Sequence, residues 1–213
     1  MGIAERKERE KQEMRELILD AATQMFLEDG YDKTSVRNIA EKIEYSPATI
    51  YLYFKDKDEL FFAIHEIGFQ KLLSQMETTR AIINPLERLR QIGVIYLEFA
   101  LKNPEYYDLM FIMRAPINSI KEKHALEHQK EPACWYYGET SFAFVQQTIS
   151  ECMEQQLIKA ENPMLTSMYV WSFVHGMASL HIRDRFLVMD LDSEQIRNMI
   201  LLALDEMLSM LKK

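Results

Sequence analysis

The chain has 213 residues, 48% of them hydrophobic, with six Gly and six Pro. That is enough apolar material for a buried core and too few chain-breakers for the tight turns of an all-β fold. No run approaches the roughly 18 consecutive apolar residues of a membrane span, and the start MGIAERKEREKQEMRE is charged where a secretory signal is apolar, so a cytoplasmic protein without a membrane partner is expected. Lys and Arg number 25 against 33 Asp and Glu, a net charge of -8, which excludes a broadly basic face for nucleic acid and leaves only a local patch. Cys134 and Cys152 lack C-x-x-C spacing and read as reduced, structural residues.

In chain order, Met14, Ile18, Ala21 and Met25 recur at helical spacing and predict a first helix over 8–29, ended by Gly30 as C-cap. Ahead of it, Arg6, Lys7, Arg9 and Lys11 alternate with Glu5, Glu8 and Glu10, the pattern of a solvated helix face. Val36, Ile39, Ala40 and Ile43 predict a helix over 35–43, and Ser46-Pro47 starts another over 47–53. Asp56 with Glu59 opens 57–79, Asn84-Pro85 with Glu87 opens 86–102, and Asn103-Pro104 opens 105–114. Further helices are expected over 133–158, from Asn162-Pro163 over 164–187, and from Asp192 with Gln195 over 193–211. The fold class is therefore all-α with about nine helices. Residues 116–132, bounded by Pro116 and Pro132 with a charged middle, read either as a loop or as a short polar helix.

The stretch TSVRNIAEKIEYSPATIYLYF has the parts of a helix-turn-helix: a short inward-packed helix, the turn Glu44-Tyr45-Ser46, and a second helix whose Ile50 and Phe54 face the core. Pro47, Ala48, Thr49, Tyr51 and Tyr53 are then available outward. The longer run ILDAATQMFLEDGYDKTSVRNIAEKIEYSPATIYLYFKDKDEL resembles the TetR family of bacterial transcriptional regulators, and WSFVHGMASLHI at 171–182 is similar to a Trp…His-Gly segment of some members. The resemblance implies a DNA-binding domain over 1–56 and a helical ligand-binding and dimerisation domain over 57–213. It implies that Arg37 reaches a base edge or a phosphate, that Thr49 contacts a base or phosphate, that Tyr51 and Tyr53 clamp phosphates, and that Lys57 anchors one. Ser35, Pro47 and Ala48 belong to the same expected footprint, with Arg6 and Lys7 as secondary contacts. Glu44 stands where the family commonly has glycine. Either the turn holds a glutamate in a left-handed backbone, at a cost of about 1 kcal/mol or more, or its geometry differs.

Fourteen Met and a high aromatic share are the composition of an adaptable apolar cavity. Tyr96, Phe99, Met110, Met113, Tyr136, Phe142, Trp171 and His175 are the candidate lining for a small apolar or amphipathic ligand. A single helix-turn-helix buries too little DNA for tight specific binding, so a homodimer on a palindromic double-stranded operator is expected. Met177, Leu180, Met199, Ala203 and Met207 are the candidate interface. The expected function is a ligand-released repressor without a catalytic site, cofactor or structural metal. Two other classes stay open: a metal-dependent hydrolase, because His124, Glu127 and His128 match an H-x-x-E-H pattern, and a helical adaptor binding protein through its acidic C-terminal part.

Overall fold

The computed structural model describes residues 2–113 and 136–213. Nine α-helices run through the described residues: α1 (Ile3–Asp29), α2 (Val36–Lys42), α3 (Pro47–Tyr51), α4 (Lys57–Glu77), α5 (Pro85–Lys102), α6 (Pro104–Phe111), α7 (Tyr136–Glu154), α8 (Pro163–Ile182) and α9 (Ser193–Leu211). Short 3-10 turns follow α4, at Thr78–Ala81, and α8, at Arg185–Met189. The only β-type pairing among the described residues is an isolated antiparallel bridge between Ile158 and Lys212.

The helix starts follow the local chemistry of the chain. Ser46, Asn84 and Asn162 each stand before a proline and accept the backbone N–H of Thr49, of Leu86 and Glu87, and of Leu165, respectively, satisfying donors that the first turn leaves over. Asp192 and Gln195 exchange both bonds of a capping box. Asp56 caps α4 through the Glu59 N–H, while the Glu59 carboxylate returns to the N–H of Lys55. Asn103, before Pro104, closes the preceding helix: its side-chain amide donates to the Phe99 carbonyl at the end of α5. Gly30 ends α1 at φ 84. Helix α8 stops at Ile182, short of the expected 187, because Asp184 turns left-handed (φ 54) and the chain tightens into a 3-10 turn.

The described residues form two compact units. The first comprises residues 2–68 and 105–113 with Tyr136, and the second residues 69–104 and 137–213. In the first, Ile18, Ala22, Phe26, Ile39, Ala40, Ile50, Phe54, Leu60, Phe61, Ile64 and Leu109 make one core. Phe26, Tyr31 and Phe61 form its aromatic centre, with ring centroids 5.2 to 5.7 Å apart. Gly68 lies where a Cβ would meet the Met110 sulfur at 2.4 Å, so any larger residue there would force the Met110 side chain to move.

In the second unit α5 is central and packs against α8 and α9. Its Leu89, Ile92, Tyr96, Leu97, Phe99 and Ala100 are buried with Val170, Val174 and Ala178 of α8 and Ile196, Ile200, Leu204, Met207 and Leu208 of α9. Gly93 faces Leu204, whose two terminal methyls would stand 3.1 Å from a Cβ there. Buried hydroxyls are paired within their own helices: Thr148 donates to Phe144, Thr166 to Asn162 and Ser167 to Pro163. Arg88 joins Glu151 at 2.5 Å and also donates to the Ile82 carbonyl, and Arg90 forks onto Asp205.

Candidate nucleic-acid interface

Helix α2 is held by its rear face, with Val36, Ile39 and Ala40 buried, and its first turn is capped by the Ser35 hydroxyl, which accepts the Asn38 N–H. The turn that follows is a C-terminal cap of the Schellman type. The Glu44 N–H bonds to the Glu41 carbonyl and the Tyr45 N–H to the Ala40 carbonyl at 2.9 Å, with Glu44 at φ 61. Of the two geometries left open by the sequence, the chain takes the strained one: a glutamate occupies the left-handed position that suits glycine. Helix α3 then starts at Pro47, and Ile50 and Phe54 fasten it to the core. Arg15 lies over the Phe54 ring at 4.8 Å and closes that packing from α1.

The expected contact residues are not equivalent in this frame. Ser35 and Thr49 are half-buried and engaged in capping, the Ser46 and Thr49 hydroxyls lying 3.1 Å apart. Arg37 is exposed and, among the described residues, pairs with Glu41, four residues on and also exposed. Such a pair is worth a few tenths of a kcal/mol, so the guanidinium can exchange its partner for a phosphate or a base edge at small cost. Ala48 and Tyr51 stand in solvent, whereas Pro47 is half-buried. Tyr53 packs partly against the core of the unit, so much of its ring faces inward. Lys57 is turned to Tyr31: its ammonium donates to the Tyr31 carbonyl at 2.9 Å and lies 4.0 Å over the ring. The Tyr31 hydroxyl donates to Asp58, and burial together with that bond raises the phenol above its ordinary range. Lys57 thus ties the start of α4 to the end of α1. Arg6 and Arg9 pair with Glu10 and Glu13 on an exposed face of α1, and Lys7 is exposed beside them. Two exposed side chains of this region escape the sequence reading, Tyr45 in the turn and Leu52 at the end of α3. The signal for Leu52 is its spacing of two from the inward Ile50.

Residues 18–64 match the N-terminal model of the bacterial regulatory proteins of the tetR family, and residues 89–204 match the model of the tetracyclin repressor-like C-terminal domain. The chain belongs to the TetR family. Among curated relatives, it is 27% identical over 162 residues to the HTH-type transcriptional regulator AcrR of Shigella flexneri, covering 75% of this chain and 73% of that one. It is 48% identical over 50 residues to the HTH-type transcriptional repressor Rv1474c of Mycobacterium tuberculosis, covering 24% and 27%. The crystal structure of a TetR family transcription regulator from Marinobacter aquaeolei VT8 shares its fold, with a TM-score of 0.71 over 97% of this chain and 99% of that one at 18% identity. The protein is a DNA-binding transcriptional regulator and not an enzyme. His124, Glu127 and His128 lie outside the described residues, as does Cys134.

In this TetR-family chain the residues expected to line one cavity divide between the two units. Met110 and Met113 belong to the first unit, Met110 buried and Met113 packed against its core. Phe99 is buried in the second unit, and Tyr136 is exposed at the first turn of α7. The remaining four make a connected run inside the second unit. Phe142 meets Trp171 edge-on at 6.0 Å, Trp171 meets His175 at 6.2 Å, and the Tyr96 hydroxyl lies 3.0 Å from His175 Nδ1. Burial, with the nearby Arg183 charge, holds the His175 imidazole below its ordinary value. A separate cleft of about 310 Å³ opens where α8 ends and α9 begins, lined by His181, Phe186, Leu187, Leu191 and Ile196 among others. Of the expected interface residues, Leu180 and Met199 are exposed and Met177 and Ala203 half-buried. Met207, by contrast, is fully buried within its own chain and presents no surface to a partner. No described helix is long and apolar enough to cross a membrane.

Proposed function

We propose that the protein is a cytoplasmic homodimeric repressor that binds a palindromic operator and is released from it by an apolar or amphipathic small molecule. The observation that carries the dimer is the outer side of α8 and α9. Leu165, Met168, Tyr169, Leu180, Met199 and Leu202 are all exposed there, although the opposite side of both helices is already buried. A helix that is apolar on both sides is stable in water only when both are covered, and a second copy brings the second helix-turn-helix that a palindrome needs. Repression is favoured by the relative from Mycobacterium tuberculosis, which carries that name. The run Phe142, Trp171, His175 and Tyr96 offers apolar ring faces and one polar pair, which suits a ligand with an apolar body and a single polar group.

The test is a gel shift and a light-scattering mass on the purified protein, using DNA from its own promoter region. Wild type should bind as a dimer. Arg37→Ala should weaken binding about tenfold or more, as loss of a forked base or phosphate contact does, and Tyr51→Phe by a few-fold. A monomeric mass, or unchanged binding in both variants, overturns the proposal.

A further inference from the structure

The outward face of α3 is unusual for an element that reads bases. Taking Ile50 as the inward direction, a helix advances about 100° per residue, which sets Ala48 and Leu52 almost opposite the core, with Thr49 and Tyr51 on the flanks. Leu52 continues the helical backbone (φ -74, ψ -18) and its side chain is 81% exposed. Ala48, one turn earlier on the same line, is exposed too. The centre of the reading face is therefore an apolar pair at i and i+4, edged by hydroxyls. No Asn, Gln, Arg or Lys occurs between Pro47 and Phe54, so α3 has no side chain that can make a two-pronged hydrogen bond to adenine or guanine. What an aliphatic side chain can recognise on the floor of a major groove is the C5-methyl group of thymine, the one apolar feature on any base edge.

We propose that Leu52, with Ala48 beneath it, is a specificity-determining residue that reads thymine methyl groups in the operator half-site. The inference rests on α3 being the helix that enters the major groove. It assigns sequence choice to apolar contact at this helix and leaves hydrogen-bonded readout to Arg37 on α2. Tyr51 and Thr49, beside the apolar pair, then serve backbone positioning through their hydroxyls.

The experiment starts from the duplex that the full-length protein enriches from a random-sequence pool. Each thymidine in that duplex is replaced singly by deoxyuridine, which removes one methyl and leaves every hydrogen-bonding group in place. Wild type should lose about fourfold in affinity at one or two positions per half-site, the value of one buried methyl. Leu52→Ala should bind the thymidine duplex as weakly as wild type binds the deoxyuridine one, and should ignore the substitution at those positions. Tyr51→Phe should keep the discrimination. Because Leu52 is exposed, its alanine variant should melt where wild type does. If wild type binds its duplex but tolerates deoxyuridine everywhere, or if Leu52→Ala still discriminates, this inference alone is overturned. Failure to enrich any duplex overturns it together with the placement of α3 in the groove.

Discussion

His65 is buried in α4 against the aromatic centre of the first unit, its ring 5.9 Å from Phe61. Burial lowers its imidazole from 6.5 to about 3, an effect that the nearby Met110 backbone offsets only in part. Above pH 6.5 the ring is neutral in folded and unfolded chains alike, and its contribution to stability is complete. As pH falls below 6.5, the unfolded chain takes up a proton that the folded chain refuses. Stability then drops by up to about 1.4 kcal/mol per pH unit until the folded ring titrates. His175, also lowered, adds a loss of the same sign. Urea unfolding at pH 7.5 and 5.5 should show wild type losing about 1 kcal/mol more between them than His65→Leu does. Equal losses would mean that His65 is not the group responsible. Lys57 gives the complementary lesson at this scale. The family resemblance implies that it anchors a phosphate, whereas its engagement of Tyr31, 26 residues back, leaves no local trace in the sequence.

Single elements were legible wherever a cap chemistry and an apolar period agreed. Ser46, Asn84, Asn162 and Asp192 announced their helices, and Gly30 closed one. The end of α8 was not legible, because Asp184 makes the left-handed turn without a glycine to mark it. Nor was the placement of Met110 and Met113, since a methionine has the same local pattern in a core as in a cavity wall. In the reading unit, Ile50 and Phe54 were recognised as inward from their spacing, whereas Leu52 passed unnoticed because aliphatic residues on short helices usually belong to cores. The close approach of α5 and α9 sets a further expectation. At Gly93 a Cβ meets Leu204 at 3.1 Å, so Gly93→Val should overpack this contact and destabilise the protein by about 1 to 3 kcal/mol. Adding Leu204→Ala should return part of that loss in thermal unfolding. A variant as stable as wild type would show that the two helices separate without penalty.

For the whole molecule, the proposed dimer on the exposed apolar side of α8 and α9 would tie folding to association. If two copies cover it, the unfolding temperature should rise with protein concentration, because mass action favours the paired state. Met199→Lys places a charge on that side without touching the core, since Met199 is half-exposed. It should yield folded monomers whose unfolding temperature no longer depends on concentration and whose operator binding is lost. A dimeric Met199→Lys protein would place the contact elsewhere. The left-handed glutamate between α2 and α3 bears on a different property, the time spent on irrelevant chromosome. If α3 enters a duplex as proposed, the exposed Glu44 brings a carboxylate to the same end of the unit, in a chain whose net charge is -8 with Glu44 counted. A surface of that kind should displace few counterions on landing, so that wrong sites would be left quickly and most copies would remain free to keep searching. The proposed operator would then be found through many short visits, and a modest number of molecules would suffice to keep it occupied.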